Sequence, residues 1–324
     1  RTRMVEIPVL PLDSWDCLVL GELAGSAAAS LASGGLHAGA ELPPDWPALP
    51  QGGPTAALAW ALRRLGLRVA FLASFPAPAE NASAGEDASL LLVSLGEERP
   101  ATLLPLLGSD GGPRALAAAL RPLLLQSRWI HGDGALWSLP LLREACVRGL
   151  ATSLAVPVTL TGDPDQPPRL QPRTTPALAE HLRYALSLLL TASGQVVLSP
   201  QQLAPLLDEL AHEGEQEVLL YLPGRGALLR EERGERTWHA ARAASGEGVA
   251  GPLEEVAWQA GYLAGRRLGA RPRRAVVWGL VAGSRAREHD AATLDALPTR
   301  LELEDALQRT SWEPRILPGG PPPA

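Results

Sequence analysis

The sequence contains no lysine; all 29 of its basic residues are arginine. That absence removes lysine Schiff-base chemistry, a lysine general base and the lysine point charge that often holds phosphate. Cysteine is scarce as well. Cys17 and Cys146 are far apart in apolar surroundings, with no metal-ligand spacing between them. They read as buried free thiols in a reducing cytoplasm. The six histidines are scattered without a ligand pattern, so no metal site is expected. Positive charge is not in excess either: the net charge of −6 supplies no field for nucleic acid. Apolar runs such as YALSLLLTA are too short to span a bilayer. The opening RTRMVEIPVLPLDSWD is broken by prolines and acids, and is expected to be neither a signal peptide nor a membrane anchor.

What is present is a chain of 324 residues, 46% of them hydrophobic, enough for a sizeable core. Short apolar runs alternate with amphipathic stretches. That alternation predicts a mostly parallel sheet covered by helices, an α/β doubly wound fold. DCLVLGE (16–22) reads as the first strand and PTAALAWALRRLG (54–66) as a helix, with Pro54 in its first turn and Gly66 at its C-terminal cap. LRVAFLA (67–73) is the next strand. The segment 88–107 departs from the βα rhythm and reads as two strands around a polar turn. Helices at 113–125, 139–149, 175–185 and 200–214 then alternate with strands at 127–134, 152–160, 186–192 and 217–229, and a strand is expected near 236–240. TGDPDQPPRLQP (161–172) reads as a loop. The C-terminal third is helical at 253–268, 273–286 and 300–308, and a proline-rich tail, 311–324, is expected to be irregular.

Five local signatures appear in one order. GGPTAALAWALRRLGLRVAFLA (52–73) carries a glycine pair before its helix. EERPAT (97–102), YLPGRGALL (221–229), AWQAGYLAG (257–265) and ALPTRLELEDAL (296–307) follow. Together they resemble the ribokinase-like, or PfkB, family of carbohydrate kinases, from about Cys17 to Gln308. The resemblance implies one ribokinase-like domain over 1–310. A small β lid would be formed by segments near 24–51 and 85–108. A sugar would lie between lid and body, and ATP with Mg²⁺ at the carboxyl ends of the strands. It also implies possible pairing of two copies through the lid.

The resemblance places functional slots one at a time. The family's GAGD motif falls on Leu253, Glu254, Glu255 and Val256. The last slot is the catalytic acid, and valine cannot accept a proton; a general base is worth about 10²–10⁴-fold. Leu253 and Glu255 stand where glycines would let a phosphoryl group approach the backbone. Glu254 and Glu255 are candidate substitute bases. Pro252 with the two glutamates is also simply a good helix start. On the nucleotide side the slots fall on Gly224, Gly226 and Ala227, with Tyr221 and Pro223 replacing a threonine and a glycine. On the substrate side they fall on Ser26, Gly52, Gly53 and Ala57, and serine and alanine there remove the family's carboxylate and amide. Asp163, Asp165 and Arg169 occupy a degraded DPNxR region, which also reads as a solvated loop. His131 and Asp133 end a strand where α/β folds place chemistry, or His131 is a structural histidine.

These readings favour a pseudokinase: a catalytically impaired ribokinase-like protein that binds a small-molecule ligand or a protein partner. The alternative is an active ATP-dependent sugar or nucleoside kinase with a non-standard carboxylate base.

Overall fold

The alternating runs form one sheet in the computed structural model, which describes residues 15–22, 49–75, 89–95, 102–106, 123–124, 126–132, 151–161, 168–173, 185–193, 198–211, 216–241, 252–288, 296–310 and 314–317. The strands are β1 (Cys17–Glu22), β2 (Val69–Phe75), β3 (Ser89–Leu95), β4 (Thr102–Leu106), β5 (Trp129–Gly132), β6 (Ala151–Thr161), β7 (Arg169–Pro172), β8 (Ser187–Ser193), β9 (Glu217–Leu222), β10 (Gly226–Arg230), β11 (Arg236–Ala240) and β12 (Arg315–Ile316). The helices are α1 (Leu49–Arg64), α2 (Pro200–Leu210), α3 (Pro252–Arg267), α4 (Pro272–Glu288) and α5 (Arg300–Gln308).

The sheet order is β12-β11-β10-β9-β8-β6-β5-β1-β2-β3-β4, with β7 paired to β6 off this path. From β9 through β8, β6, β5 and β1 to β2 every pairing is parallel. Both flanks continue antiparallel. The chain steps from β1 to β2 on one side, then returns to the other side of β1 for β5, so the order reverses between β1 and β5. In doubly wound sheets a ligand crevice opens at such a point, outside the carboxyl ends of the strands.

Alternate strand residues feed two cores. On one face Val19, Phe71, Leu189 and Leu219 pack against α1, α3, α4 and α5. On the other, Leu18, Leu72, Ile130 and Leu190 pack against α2. The parallel strands are therefore covered on both sides, which explains their nearly continuous apolar sequences. Local chemistry fixes helix starts. Ser199 caps α2 and Thr299 caps α5, each in a reciprocal capping box with the residue three positions on; such a cap is worth about 1 kcal/mol. Within α1 the backbone kinks at Gly53, at φ 81°, and regular helix runs on from Pro54.

Four details differ from the sequence reading. Residues 217–229 are two antiparallel strands rather than one, because the turn at Pro223–Arg225 reverses the chain. The supposed loop at 161–172 contains β7, which pairs with the long β6. The proline-rich tail contributes β12, paired to β11. The segment near 85–108 adds β3 and β4 directly to the β2 edge, so its described part is continuous with the main sheet. The expected helices at 139–149 and 175–184 lie outside the described residues, as do residues 24–48 of the first lid segment.

The α3 and α4 backbones pack closely against each other. A Cβ on Gly261 would sit 2.6 Å from the Trp278 carbonyl oxygen, and one on Gly279 2.8 Å from that of Trp258. The axes can approach this closely only because both positions lack a side chain. Gly261→Ala should therefore lower stability by about 1–3 kcal/mol in urea unfolding, although alanine is intrinsically about 1 kcal/mol better than glycine in a helix. A stabilised variant would show that the helices part without cost.

Candidate functional site

The carboxyl ends of β8 and β9, the β9–β10 turn, and the first turn of α3 come together with the end of α4. The close helix contact brings these ends into register: Gly283 lies against the Glu254 backbone carbonyl, where an added Cβ would be 3.3 Å away. Leu253 and Val256 turn into the core, and Val256 is only 4% exposed. The position that the sequence resemblance aligns with a catalytic acid thus holds an apolar side chain packed among apolar neighbours.

Glu254 is buried at 2% exposure, yet its carboxylate is fully engaged. Arg287, from the last turn of α4, donates from Nε to Oε2 at 2.9 Å and from Nη2 to Oε1. Tyr221 donates its phenol O–H to Oε1, and the Gly224 N–H donates to the same oxygen at 3.2 Å. A bidentate guanidinium, a phenol and a backbone amide therefore converge on one carboxylate. Burial, then the Glu254 charge and hydrogen bond, push the Tyr221 phenol well above its ordinary range, so it stays a donor. Burial opposes the Arg287 charge, but the Glu254 hydrogen bonds and charge outweigh it, and its pKa is raised. Both oxygens of the Glu254 carboxylate are thus taken up by donors of the protein itself.

Glu255 is different. It is partly buried, and Gln259 Nε2 donates to its Oε1 at 3.2 Å. Burial pushes its carboxyl up; contacts from Thr191 and Gln259 oppose this, and the Glu254 charge adds to it. Thr191 lies at the carboxyl end of β8, and its buried hydroxyl lacks a well-formed hydrogen bond while facing Glu255. Glu255 is thus the candidate acid that is not already committed to an arginine.

Gly224, at φ 74°, lies against the Arg287 guanidinium, where a Cβ would be 3.3 Å from both Nη atoms. Gly226 and Ala227 serve the sheet: Gly226 begins β10 opposite Ala240, where a Cβ would collide with the His239 carbonyl, and Ala227 is buried in the core. The expected nucleotide-side trio therefore divides, one residue at the Glu254 cluster and two in structural positions. Ala57 is packed in the core. Gly52 and Gly53 stand at the α1 kink. Ser26, Asp133, Asp163 and Asp165 lie outside the described residues, and Arg169 is exposed on β7. Among the described residues no three of His, Cys, Asp and Glu gather to hold a metal ion.

Sequence reasoning missed Arg287, which is 33 residues from its partner. The signal that could have found it is the glycine spacing of four in both helices, Gly261 with Gly265 and Gly279 with Gly283. That pattern marks two helices that pack closely and so bring their opposite ends together. The aromatic stack inside the site was also missed. Trp258 lies 4.6 Å from Tyr221 and 6.4 Å from Tyr262, ring centre to ring centre, nearly parallel to both. Tyr262 in turn donates to the buried Glu217 at 2.7 Å, which Arg266 neutralises at 2.9 Å. This second ion pair lies at the amino ends of β8 and β9, away from the crevice.

His131 is a structural residue. The Trp129 indole N–H donates to Ser153 Oγ at 2.8 Å, leaving the serine hydroxyl hydrogen for His131 Nδ1, also at 2.8 Å. Burial holds the imidazole neutral, with its pKa lowered to about 3. Burial likewise pushes the Cys17 thiol up to about 12, with the Asp16 charge adding, so this thiol is inert. In the unfolded chain His131 takes up a proton near pH 6.5, whereas the native chain does not until about pH 3. Its neutral form thus favours the fold above pH 6.5, and this stability falls as pH drops toward 3. Between pH 7 and pH 5 the loss should be about 2 kcal/mol. Urea unfolding at the two pH values should show a correspondingly smaller drop for His131→Asn than for the unmodified chain.

No family model matches the sequence, and no curated protein matches it. Solved structures do. A ribokinase of Arabidopsis thaliana complexed with ribose and ATP superposes with a TM-score of 0.58 at 12% identity, covering 91% of this chain and 99% of that one. A microbiome-derived acarbose kinase gives 0.52 at 14% identity, over 91% of this chain and 100% of the other. A ribokinase of Thermotoga maritima gives 0.50 at 12% identity, over 91% and 99%. With its parallel centre, its antiparallel flanks and the helix pair behind the β9–β10 turn, the chain has the ribokinase-like fold of the PfkB sugar kinases.

Proposed function

We propose that the protein is a catalytically impaired ribokinase-like protein, a pseudokinase that works by binding a small ligand or a protein partner. The observation that carries the reading is Val256, packed in the core at the slot where the resemblance puts the catalytic acid. Glu254 supports it: with Arg287, Tyr221 and the Gly224 amide already holding it, this glutamate is not available as a substitute base. The residues present do not fit a nucleoside triphosphate with its Mg²⁺. Two glutamates occupy the first turn of α3, the Gly224 N–H is taken, and the chain has no lysine to meet phosphate.

A second reading, an ATP-dependent kinase of a sugar or nucleoside, is favoured by one observation. The Glu255 carboxyl faces Thr191 at a strand's carboxyl end and is shifted toward neutrality, as a general base is tuned. Pairing of two copies through the second lid segment belongs to the proposal as well; β4 is the outermost described strand at that edge. No described helix is long and apolar enough to cross a membrane.

Calorimetric titration with ATP and Mg²⁺, with and without a panel of sugars and nucleosides, should show neither binding in the micromolar range nor ADP release. Sugar-dependent ADP release that drops by about 10²-fold or more in Glu255→Gln would establish the kinase instead.

A further inference from the structure

The donors around Glu254 form a set that chemistry normally builds for an external anion. They comprise a guanidinium offering two parallel N–H groups, a phenol whose proton is firmly held, and a backbone N–H at a left-handed glycine in a tight turn. They come from three separate elements: the end of β9, the β9–β10 turn, and the last turn of α4. The carboxylate that fills them comes from a fourth, the first turn of α3. Glu254 reaches them as a tethered acid, and both of its oxygens are used.

We propose that Tyr221, Gly224 and Arg287 constitute a small-oxyanion site, for a carboxylate or a phosphate, that this chain keeps occupied with its own Glu254. Three features distinguish it from an ordinary buried ion pair. Donors outnumber what charge neutralisation requires, since Arg287 alone balances Glu254. The Gly224 N–H is directed at a side chain 30 residues away and not into the sheet ladder. Gly224 itself leaves room for Arg287, since a Cβ there would lie 3.3 Å from both Nη atoms and crowd the guanidinium. The consequence is that the β9–β10 turn, α3 and α4 stay locked in the arrangement an anion would impose, without any ligand. The inference deepens the pseudokinase reading: this site is closed from within.

The test is to remove the tethered acid and supply a free one. Glu254→Ala should gain binding of acetate or inorganic phosphate that the unmodified chain lacks. Its melting temperature should rise by about 2–4 °C at roughly ten times the dissociation constant, relative to chloride at equal ionic strength. Comparing acetate with phosphate distinguishes a carboxylate site from a phosphate site. If Glu254→Ala does not fold in chloride, the readout becomes the fraction of native circular dichroism regained on refolding in acetate or phosphate. The double variant Glu254→Ala with Arg287→Met removes both charges and should show no oxyanion response. The proposal is overturned if the single variant responds no more to oxyanions than to chloride, or if the double variant or the unmodified chain responds equally. This outcome is independent of the nucleotide titration. Sugar-dependent ADP release by the unmodified chain would overturn the pseudokinase reading, whereas absence of oxyanion rescue would overturn only the tethered-anion site.

Discussion

The close approach of α3 and α4 governs the rest of the site. Gly261 and Gly279 let the two backbones come within a distance no alanine could accept, and this registers the first turn of α3 against the last turn of α4. Glu254 and Arg287 meet as a result. Neither charge could be buried alone, since an isolated buried ion costs several kcal/mol. The helix contact and the ion pair therefore depend on each other. The packing brings the charges together, and the pairing makes their burial tolerable.

The same contact organises the interior between them. Trp258 fills the space behind the glycines and stacks on Tyr221 and Tyr262, and each tyrosine hands its hydroxyl to a buried carboxylate at opposite ends of the strands. Two of the chain's three tyrosines are used in this way. A buried carboxylate is tolerated when it is paired and hydrogen-bonded, and here an arginine pairs with the carboxylate at each end. In a chain without lysine, arginine is well suited to that position, because its planar fork satisfies two acceptors at once and keeps its charge when buried.

The resemblance and the geometry converge on the first turn of α3 from different directions. Slot by slot, the sequence puts leucine, two glutamates and valine where a phosphoryl group and its base would be. The structure shows what those residues do instead. Leu253 and Val256 complete the core, Glu254 completes a hydrogen-bonded cluster, and Glu255 remains at the strand ends with a raised pKa. Leu253, Glu254 and Val256 each have a structural use, so the stretch is a coherent helix start.

Much of the fold was legible in the sequence because it rests on local rules. Periodicity placed α4 within two residues at each end and α3 within one, proline and glycine marked the start and end of the regular part of α1 after its Gly53 kink, and apolar runs marked the buried strands. Where short-range rules do not apply, the reading failed. PGRG between leucines fits a tight nucleotide loop as well as a hairpin turn, so the reversal between β9 and β10 is not dictated locally, and β7 and β12 escape the sequence because so short a strand is stabilised only by its partner. The site divides in the same way. The resemblance alone puts Val256 in the slot of a catalytic acid, and the sequence itself puts two glutamates in the first turn of α3. That Glu254 is committed and Glu255 is not could come only from the packed molecule. The difference depends on Arg287, Tyr221 and Gly224, which lie about thirty residues away in sequence and meet Glu254 only when two helices pack through their glycines.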